Sequence, residues 1–205
     1  MQRAFDVAVS LIALLVLSPL LALIAIAVKL TSSGPVLYRG PRAGRDGVPF
    51  AILKFRTMRT GTAGPAITRG HDSRVTAAGR VLRRWKLDEL PQLINVVRGE
   101  MSLAGPRPEA PEYVALYSDD ERRVLRVRPG ITSPASLLYR DEESLLGGDD
   151  WHERYVGGIM REKLRVDLVW LERRTFVSDL GLLVRSVLAI FTTRRDGDTA
   201  GAARR

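Results

Sequence analysis

Residues 7–28 read VAVSLIALLVLSPLLALIAIAV, 22 residues without a charge between Asp6 and Lys29. A straight helix of that length reaches about 33 Å, enough to cross a hydrocarbon core of roughly 30 Å. A secretory signal would need a shorter apolar stretch and a small-residue cleavage site, and here the run continues into Lys29-Leu30 without one. A core helix apolar all round for this length is rare in so short a chain. The run reads as a membrane segment.

Ser18-Pro19 interrupts it. Pro19 removes the hydrogen bond to the Leu15 carbonyl and disfavours helix at Ser18. The arm from Val7 to Leu17 would span only about 16 Å, half the hydrocarbon thickness. A Ser18 hydroxyl bonded back to a carbonyl near Leu14 would ease the break. From the bend alone, a helix that dips in and returns stands level with one kinked crossing. Charge tilts the balance. From Lys29 to Arg59 the basic residues are Lys29, Arg39, Arg42, Arg45, Lys54, Arg56 and Arg59, opposed only by Asp46. The positive-inside tendency places this stretch on the cytoplasmic face. The N-terminal side, with Arg3 and the α-amino group, has no strong reason to cross. The adopted expectation is re-entrant, with both ends inside.

Length suits one compact domain plus an appendage, and 45% hydrophobic residues permit a packed core. The 32 Lys and Arg against 23 Asp and Glu leave a charge of +9, which attracts phosphates on nucleic acid, lipid or substrate alike. The absence of cysteine excludes disulfides, thiolate catalysis and Cys-based zinc sites. His71 and His152 are the only imidazoles, sit in no metal-binding spacing, and read as surface residues.

Beyond the apolar run, Pro35 to Phe55 reads as a β-hairpin, with Val36–Tyr38 and Phe50–Leu53 flanking an Asp46-Gly47 turn. Gly61 to Gly70 reads as a flexible loop. Arg80 to Trp85 looks helical, and Leu90, Leu93, Ile94 and Val97 recur at helical spacing until Gly99. Asp88 and Glu89 thus fall at or just before a helix start, with Pro91 in the tolerated first turn. Gly105-Pro106-Arg107-Pro108 makes a rigid loop that presents Arg107. Pro111 to Val127 reads as helical, and Tyr155 to Val187 as one or two helices. Leu180 to Phe191 is apolar enough for the membrane interface, and the tail from Thr193 reads as disordered. The expected fold is a mostly helical α+β protein with a short hairpin and interfacial amphipathic helices. Residues 1–30 form the re-entrant helix, 31–192 a cytoplasmic domain and 193–205 the tail.

An Asp-Glu pair at a helix start is most often a cap or a solvated charge, and Arg83, Arg84 and Arg107 taken singly are ordinary. Lys54-Phe55-Arg56 alternates as a strand would. The combination says more. A membrane anchor, a basic field, paired carboxylates and an arginine on a rigid loop suit phosphoryl transfer at a membrane. One carboxylate serves as nucleophile, another holds a hard cation, and guanidinium groups neutralise phosphate charge.

The segments GPVLYRGPRAGRDGVPFAILKFRTM, DSRVTAAGRVLRRWKLDELPQLINVVRGEMSLAGPRPE and RPGIT resemble the bacterial sugar transferases, the monotopic polyprenyl-phosphate phosphoglycosyl transferases. The resemblance runs from Arg3-Ala4-Phe5-Asp6 to about Leu188 and is that of a minimal catalytic unit. It implies a re-entrant helix broken at Ser18-Pro19 in the bacterial inner membrane, with the catalytic domain cytoplasmic. It implies that Asp88 attacks the β-phosphorus of a UDP-sugar, releases UMP and carries the sugar phosphate. Polyprenyl (undecaprenyl) phosphate would then take it, initiating exopolysaccharide or glycoconjugate synthesis. Glu89 would help hold Mg²⁺. Arg83 and Arg107, flanked by Pro106 and Pro108, would contact phosphate or nucleotide, with Asp167 at a recurrent acidic position. The implied partners are UDP-sugar, polyprenyl phosphate and membrane lipids, with a homodimer as an option and no nucleic acid. Two departures bear on sugar specificity. Gly40 stands where many members have Gln, and the residues after Thr132 read SPASLLYRDEE in place of a Gly-Trp-Ala-Gln type continuation. The rival readings are a membrane-anchored nucleic-acid-binding protein, supported only by charge, and an inactive assembly scaffold, which the intact dyad opposes.

Overall fold

The computed structural model describes residues 2–61, 72–148 and 150–192. The Gly61–Gly70 loop beyond its first residue, His71 and the tail from Thr193 lie outside that description. The apolar run forms two helices, α1 (Gln2–Val16) and α2 (Ser18–Thr31), bent by 64°. The Ser18 hydroxyl donates to the Leu15 carbonyl at 2.8 Å. That carbonyl, one residue beyond the expected Leu14, is the one Pro19 cannot serve, so the break leaves little polar cost. Among the described residues no single helix is long and apolar enough to cross a membrane, but this bent pair passes that test together.

Each helix has a packed face and an open one. Phe5, Val9, Ala13 and Leu14 of α1 pack on a core of Ile52, Leu93, Val96, Met101 and Leu103. Ile24 and Val28 of α2 pack with Phe55 and Leu82. Leu15, Val16, Leu23 and Leu30 are open, with Leu30 81% exposed. An apolar face of that extent seeks a partner or a lipid surface.

Strands β1 (Leu37–Ala43) and β2 (Pro49–Phe55) form the expected hairpin, in register Leu37↔Phe55 to Ala43↔Pro49. Asp46 and Gly47 take φ of 55° and 77°, the left-handed pair that the Asp-Gly signal anticipates. The free edge of β2 is covered by a side chain. Asn95 accepts from the Leu53 N–H at 3.0 Å and donates to the Ala51 carbonyl at 2.8 Å, imitating a neighbouring strand. Asn95 lies on α4 (Gln92–Arg98), so this pairing docks α4 on the hairpin. Gly99, at φ 88°, ends α4 where expected.

Helix α3 (Ala77–Arg84) starts at Thr76, whose hydroxyl accepts from the Gly79 N–H at 2.9 Å. A Cβ at Gly79 would stand 2.1 Å from the Thr57 carbonyl oxygen, so only glycine lets α3 lie this close to the end of β2. The residues from Pro111 fold less regularly than expected. A short helix α5 (Pro111–Val114) is followed by a 3₁₀ turn at Glu121–Arg126. Between them, Ser118 and Glu121 bond side chain to backbone in both directions, an alternative that competes with a continuous helix.

Two three-residue strands, β3 (Ser102–Ala104) and β4 (Gly130–Thr132), pair in parallel. A Cβ at Gly130 would lie 2.1 Å from the Gly105 nitrogen, so the backbones touch beside the Pro106-Arg107-Pro108 loop. Short helices α6 (Pro134–Leu138), α7 (Glu142–Leu145) and α8 (Trp151–Arg154) lead through a π-turn at Tyr155–Ile159 into α9 (Met160–Arg173) and α10 (Phe176–Phe191). A capping box of Thr175 and Ser178 starts α10. Val177, Val184, Val187, Leu188 and Phe191 form its exposed face, while Leu182 is buried. The chain is thus mostly helical α+β, as the sequence predicts.

Candidate active site

Helix α3 ends at Arg84, and Lys86, at φ 54°, turns the chain back into a 3₁₀ turn at Leu87–Glu89. A left-handed lysine costs about 1 kcal/mol and is held here by its surroundings. The turn runs into α4, so Asp88 and Glu89 sit just ahead of that helix, as expected from Pro91. Both are buried, yet both line a groove of about 1840 Å³. Lys54, Arg83, Arg107 and Pro108 share its walls.

The two carboxylates have opposite surroundings. Glu89 is neutralised: Arg107 donates Nη1 to Oε2 at 3.2 Å and Nη2 to Oε1, and Lys54 Nζ donates to Oε1 at 2.8 Å. Burial opposes the Glu89 charge, but Arg107 and Lys54 outweigh it and hold its pKa well below the usual range. Asp88 goes the other way. Burial, then the neighbouring Glu89 charge, raises its pKa, with Lys54 and Arg83 pulling it back. Among the described residues its Oδ1 has no hydrogen-bond partner, and neither amide atom of the fully buried Gln92 has one. A poorly solvated carboxylate oxygen beside cations already committed to its neighbour is a suitable nucleophile toward phosphorus.

The other expected residues fall at several places. Arg83 faces the groove through its guanidinium, donating Nε to Thr57 Oγ1 at 3.0 Å and Nη1 to Glu143 at 2.7 Å. Pro106 is buried away from the groove, its carbonyl accepting from the Gly130 N–H at 2.9 Å. Asp167 is also apart from the groove, on α9 beneath the start of α6, where Oδ1 accepts from the Ala135 N–H at 3.1 Å. Ser18 and Pro19 lie at the bend between α1 and α2, not in the groove. Arg56, from the same strand-end as Lys54, bonds the carbonyls of Ser32 and Pro35 and ties the end of α2 to the hairpin. Lys54 is the site residue that sequence reasoning passed over. Strand alternation was its only signal, and that does not say which face carries a function.

Burial raises the Asp167 pKa to about 6, against the hydrogen bonds that favour its charge. A raised folded pKa means stability present below the unfolded value of 3.8 and lost as pH rises through about 6. Asp167→Asn keeps an acceptor for the Ala135 N–H and removes the charge. The variant is expected to gain on the unaltered chain by up to about 3 kcal/mol between pH 4 and 7. Denaturant melts across that range check it; a pH-independent gap would contradict it.

No cluster of three or more metal-binding side chains occurs among the described residues. Mg²⁺, however, takes one or two carboxylates and completes its shell from substrate phosphates and water. Adjacent Asp88 and Glu89, one with an unpartnered oxygen, fit that pattern.

A buried acid with an open oxygen, set among Lys54, Arg83 and Arg107, has the chemistry suited to a phosphate. A family model described as "Bacterial sugar transferase" matches residues 1–193, and the chain belongs to that family. It is 38% identical over 205 residues to the UDP-glucose:undecaprenyl-phosphate glucose-1-phosphate transferase of Caulobacter vibrioides, covering 94% of this chain and 70% of that protein. A protein of the same name from Escherichia coli is 37% identical over 199 residues, covering 95% of this chain and 41% of its own length. The exopolysaccharide production protein ExoY of Sinorhizobium fredii is 33% identical over 210 residues, with 94% and 86% covered. The chain therefore spans most of ExoY and under half of the Escherichia coli relative.

Proposed function

We propose that this protein transfers a sugar 1-phosphate from a UDP-sugar to undecaprenyl phosphate through an aspartyl intermediate, at the cytoplasmic face of the bacterial inner membrane. The observation that carries the reading is the unpartnered, buried Asp88 oxygen in a groove lined by Lys54, Arg83 and Arg107. Asp88 attacks the β-phosphorus, the bond from that phosphorus to the bridging oxygen breaks, and UMP leaves with the electron pair. An oxygen of undecaprenyl phosphate then attacks the same phosphorus. The Asp88 carboxylate is released and a polyprenyl diphosphate sugar forms. Lys54 and Arg107 keep Glu89 charged and fixed, and Arg83 and Arg107 offset charge on the phosphates. Glu89, with Asp88 beside it, would hold Mg²⁺, which supplies charge neutralisation on the diphosphate when bound.

Relatives named for UDP-glucose and undecaprenyl phosphate, and for exopolysaccharide production, support this reading. So do the exposed faces of α1, α2 and α10, which suit a monotopic protein dipping into one leaflet with residues 31–192 on the cytoplasmic side. The test is a UMP-release screen across UDP-sugars with undecaprenyl phosphate and Mg²⁺. Release should require both substrates for turnover and occur with UDP-glucose or a close analogue. No release from any UDP-sugar, with salt-sensitive binding to DNA instead, would return the nucleic-acid reading.

A further inference from the structure

The groove does not stop at the dyad. Away from Lys54 and Arg83 it is walled by Ile131 and Thr132 of β4, Leu137 of α6, and Ala189, Ile190 and Phe191 of α10. Several polar groups of this wall are paired within it. The Thr132 and Ser186 hydroxyls share a 2.6 Å hydrogen bond, Ser186 donates to the Leu182 carbonyl at 2.8 Å, and Arg140 donates to the Ala189 carbonyl. Ile131, Leu137, Ala189, Ile190 and Phe191 give the groove a run of hydrocarbon there, edged by Ser136, Tyr139, Arg140 and Thr192. Phe191, 72% exposed, belongs both to this wall and to the open apolar face of α10. One surface thus runs from a basic floor at Asp88 to a helix face built to meet lipid.

We propose that this wall, between α6 and the C-terminal end of α10, is where the isoprenoid chain of the acceptor enters and lies while its phosphate reaches Asp88. The proposal rests on the phosphoglycosyl-transfer reading above. A basic floor joined to an apolar wall matches an amphiphile with a phosphate head, whereas a soluble nucleotide sugar has no use for the apolar part. Leu137 and Arg140 come from the stretch after Thr132 that departs from the usual family pattern. Acceptor-chain preference, rather than sugar choice alone, would then vary with that stretch.

The test compares two acceptors, undecaprenyl phosphate and a one-isoprene phosphate, with the full chain in lipid nanodiscs. The readout is the ratio of their KM values. The unaltered protein should favour the long acceptor. Phe191→Ser and Ile190→Asn should shift the ratio about tenfold toward the short one, the scale expected for losing a few methylene contacts. Phe191 is exposed, so its variant separates the effect from folding. Val184→Asn, on the outer face of α10, should weaken vesicle binding and leave the ratio unmoved. An unchanged ratio in both wall variants, or the same shift with Val184→Asn, overturns the proposal. Absence of UMP release by the unaltered protein overturns the transfer reading itself, and this inference with it.

Discussion

Replacement of Asp88 by asparagine is expected to abolish sugar-phosphate transfer while leaving the protein at least as stable as before. An amide cannot form the aspartyl intermediate, so turnover should fall on the order of 10⁴-fold or more, the scale seen when a covalent nucleophile is removed. The stability side follows from the same geometry. Asp88 is buried, its Oδ1 is unpartnered, and its pKa is raised by burial and then by Glu89. A raised folded pKa gives stability below the unfolded value of 3.8 that is lost as pH climbs through the folded one. As pH rises the unaltered protein takes on a buried charge that Asp88→Asn lacks. The variant's melting temperature should match or exceed the parent's, with the gap widening from acid to neutral pH. Intact mass after incubation with a UDP-sugar alone should show the sugar-phosphate increment on the parent and none on the variant. An increment on the Asp88→Asn variant, or more than about 1% residual turnover, would remove Asp88 from its role.

The second large effect is expected at Arg107. Its fork holds both oxygens of Glu89, whose side chain is 11% exposed. Arg107→Ala leaves Glu89 with Lys54 as its remaining hydrogen-bonded cation, and breaking a buried pair on one side costs about 3–5 kcal/mol. Lys54 keeps part of the compensation, so the lower end of that range is expected. Activity should drop about 10²–10³-fold as the charge on the phosphates goes uncompensated and Glu89 loses its fixed position. Arg107→Lys should recover part of the stability and little activity, because an ammonium cannot make the two-point contact. The pH dependence has the opposite sign from Asp88. Glu89 has a depressed pKa, so its contribution is present above the unfolded value of 4.5 and is lost as pH falls below it. The Arg107→Ala chain should show a shallower acid loss. Equal acid slopes in parent and variant would show that the pair does not hold Glu89 charged.

Much of this architecture was legible in the chain, and the illegible parts share a cause. Ser18-Pro19, Asp46-Gly47 and Gly99 act through their own backbone angles, so their bend, turn and helix end are readable locally. Asp88 and Glu89 stood out because Pro91 and Gly99 bracket a helix directly after them. Lys54 and Asn95 act across 35 and 42 residues of chain, and nothing local marks which partner they meet. The β3–β4 pair is three residues a side and parallel, so no turn announces it. Asp167 meets the first turn of α6 across 32 residues of chain, a contact that no local signal marks. Pro111 to Val127 misled because its apolar spacing is helical, while Ser118 and Glu121 satisfy each other's backbones instead.

The first turn of the chain is stitched into the catalytic body. Arg3 donates to the carbonyls of Val96 and Val97 at the end of α4, Asp6 accepts from the Ser102 hydroxyl at 2.6 Å, and Gln2 donates to Asp179 on α10. Removing α1 would accordingly unplug the helix that follows Asp88 and strip the cover from Leu93 and Val96. It is less a tether than a keel. On the proposed membrane placement, its depth in the bilayer would set how high Asp88 rides above the lipid phosphates.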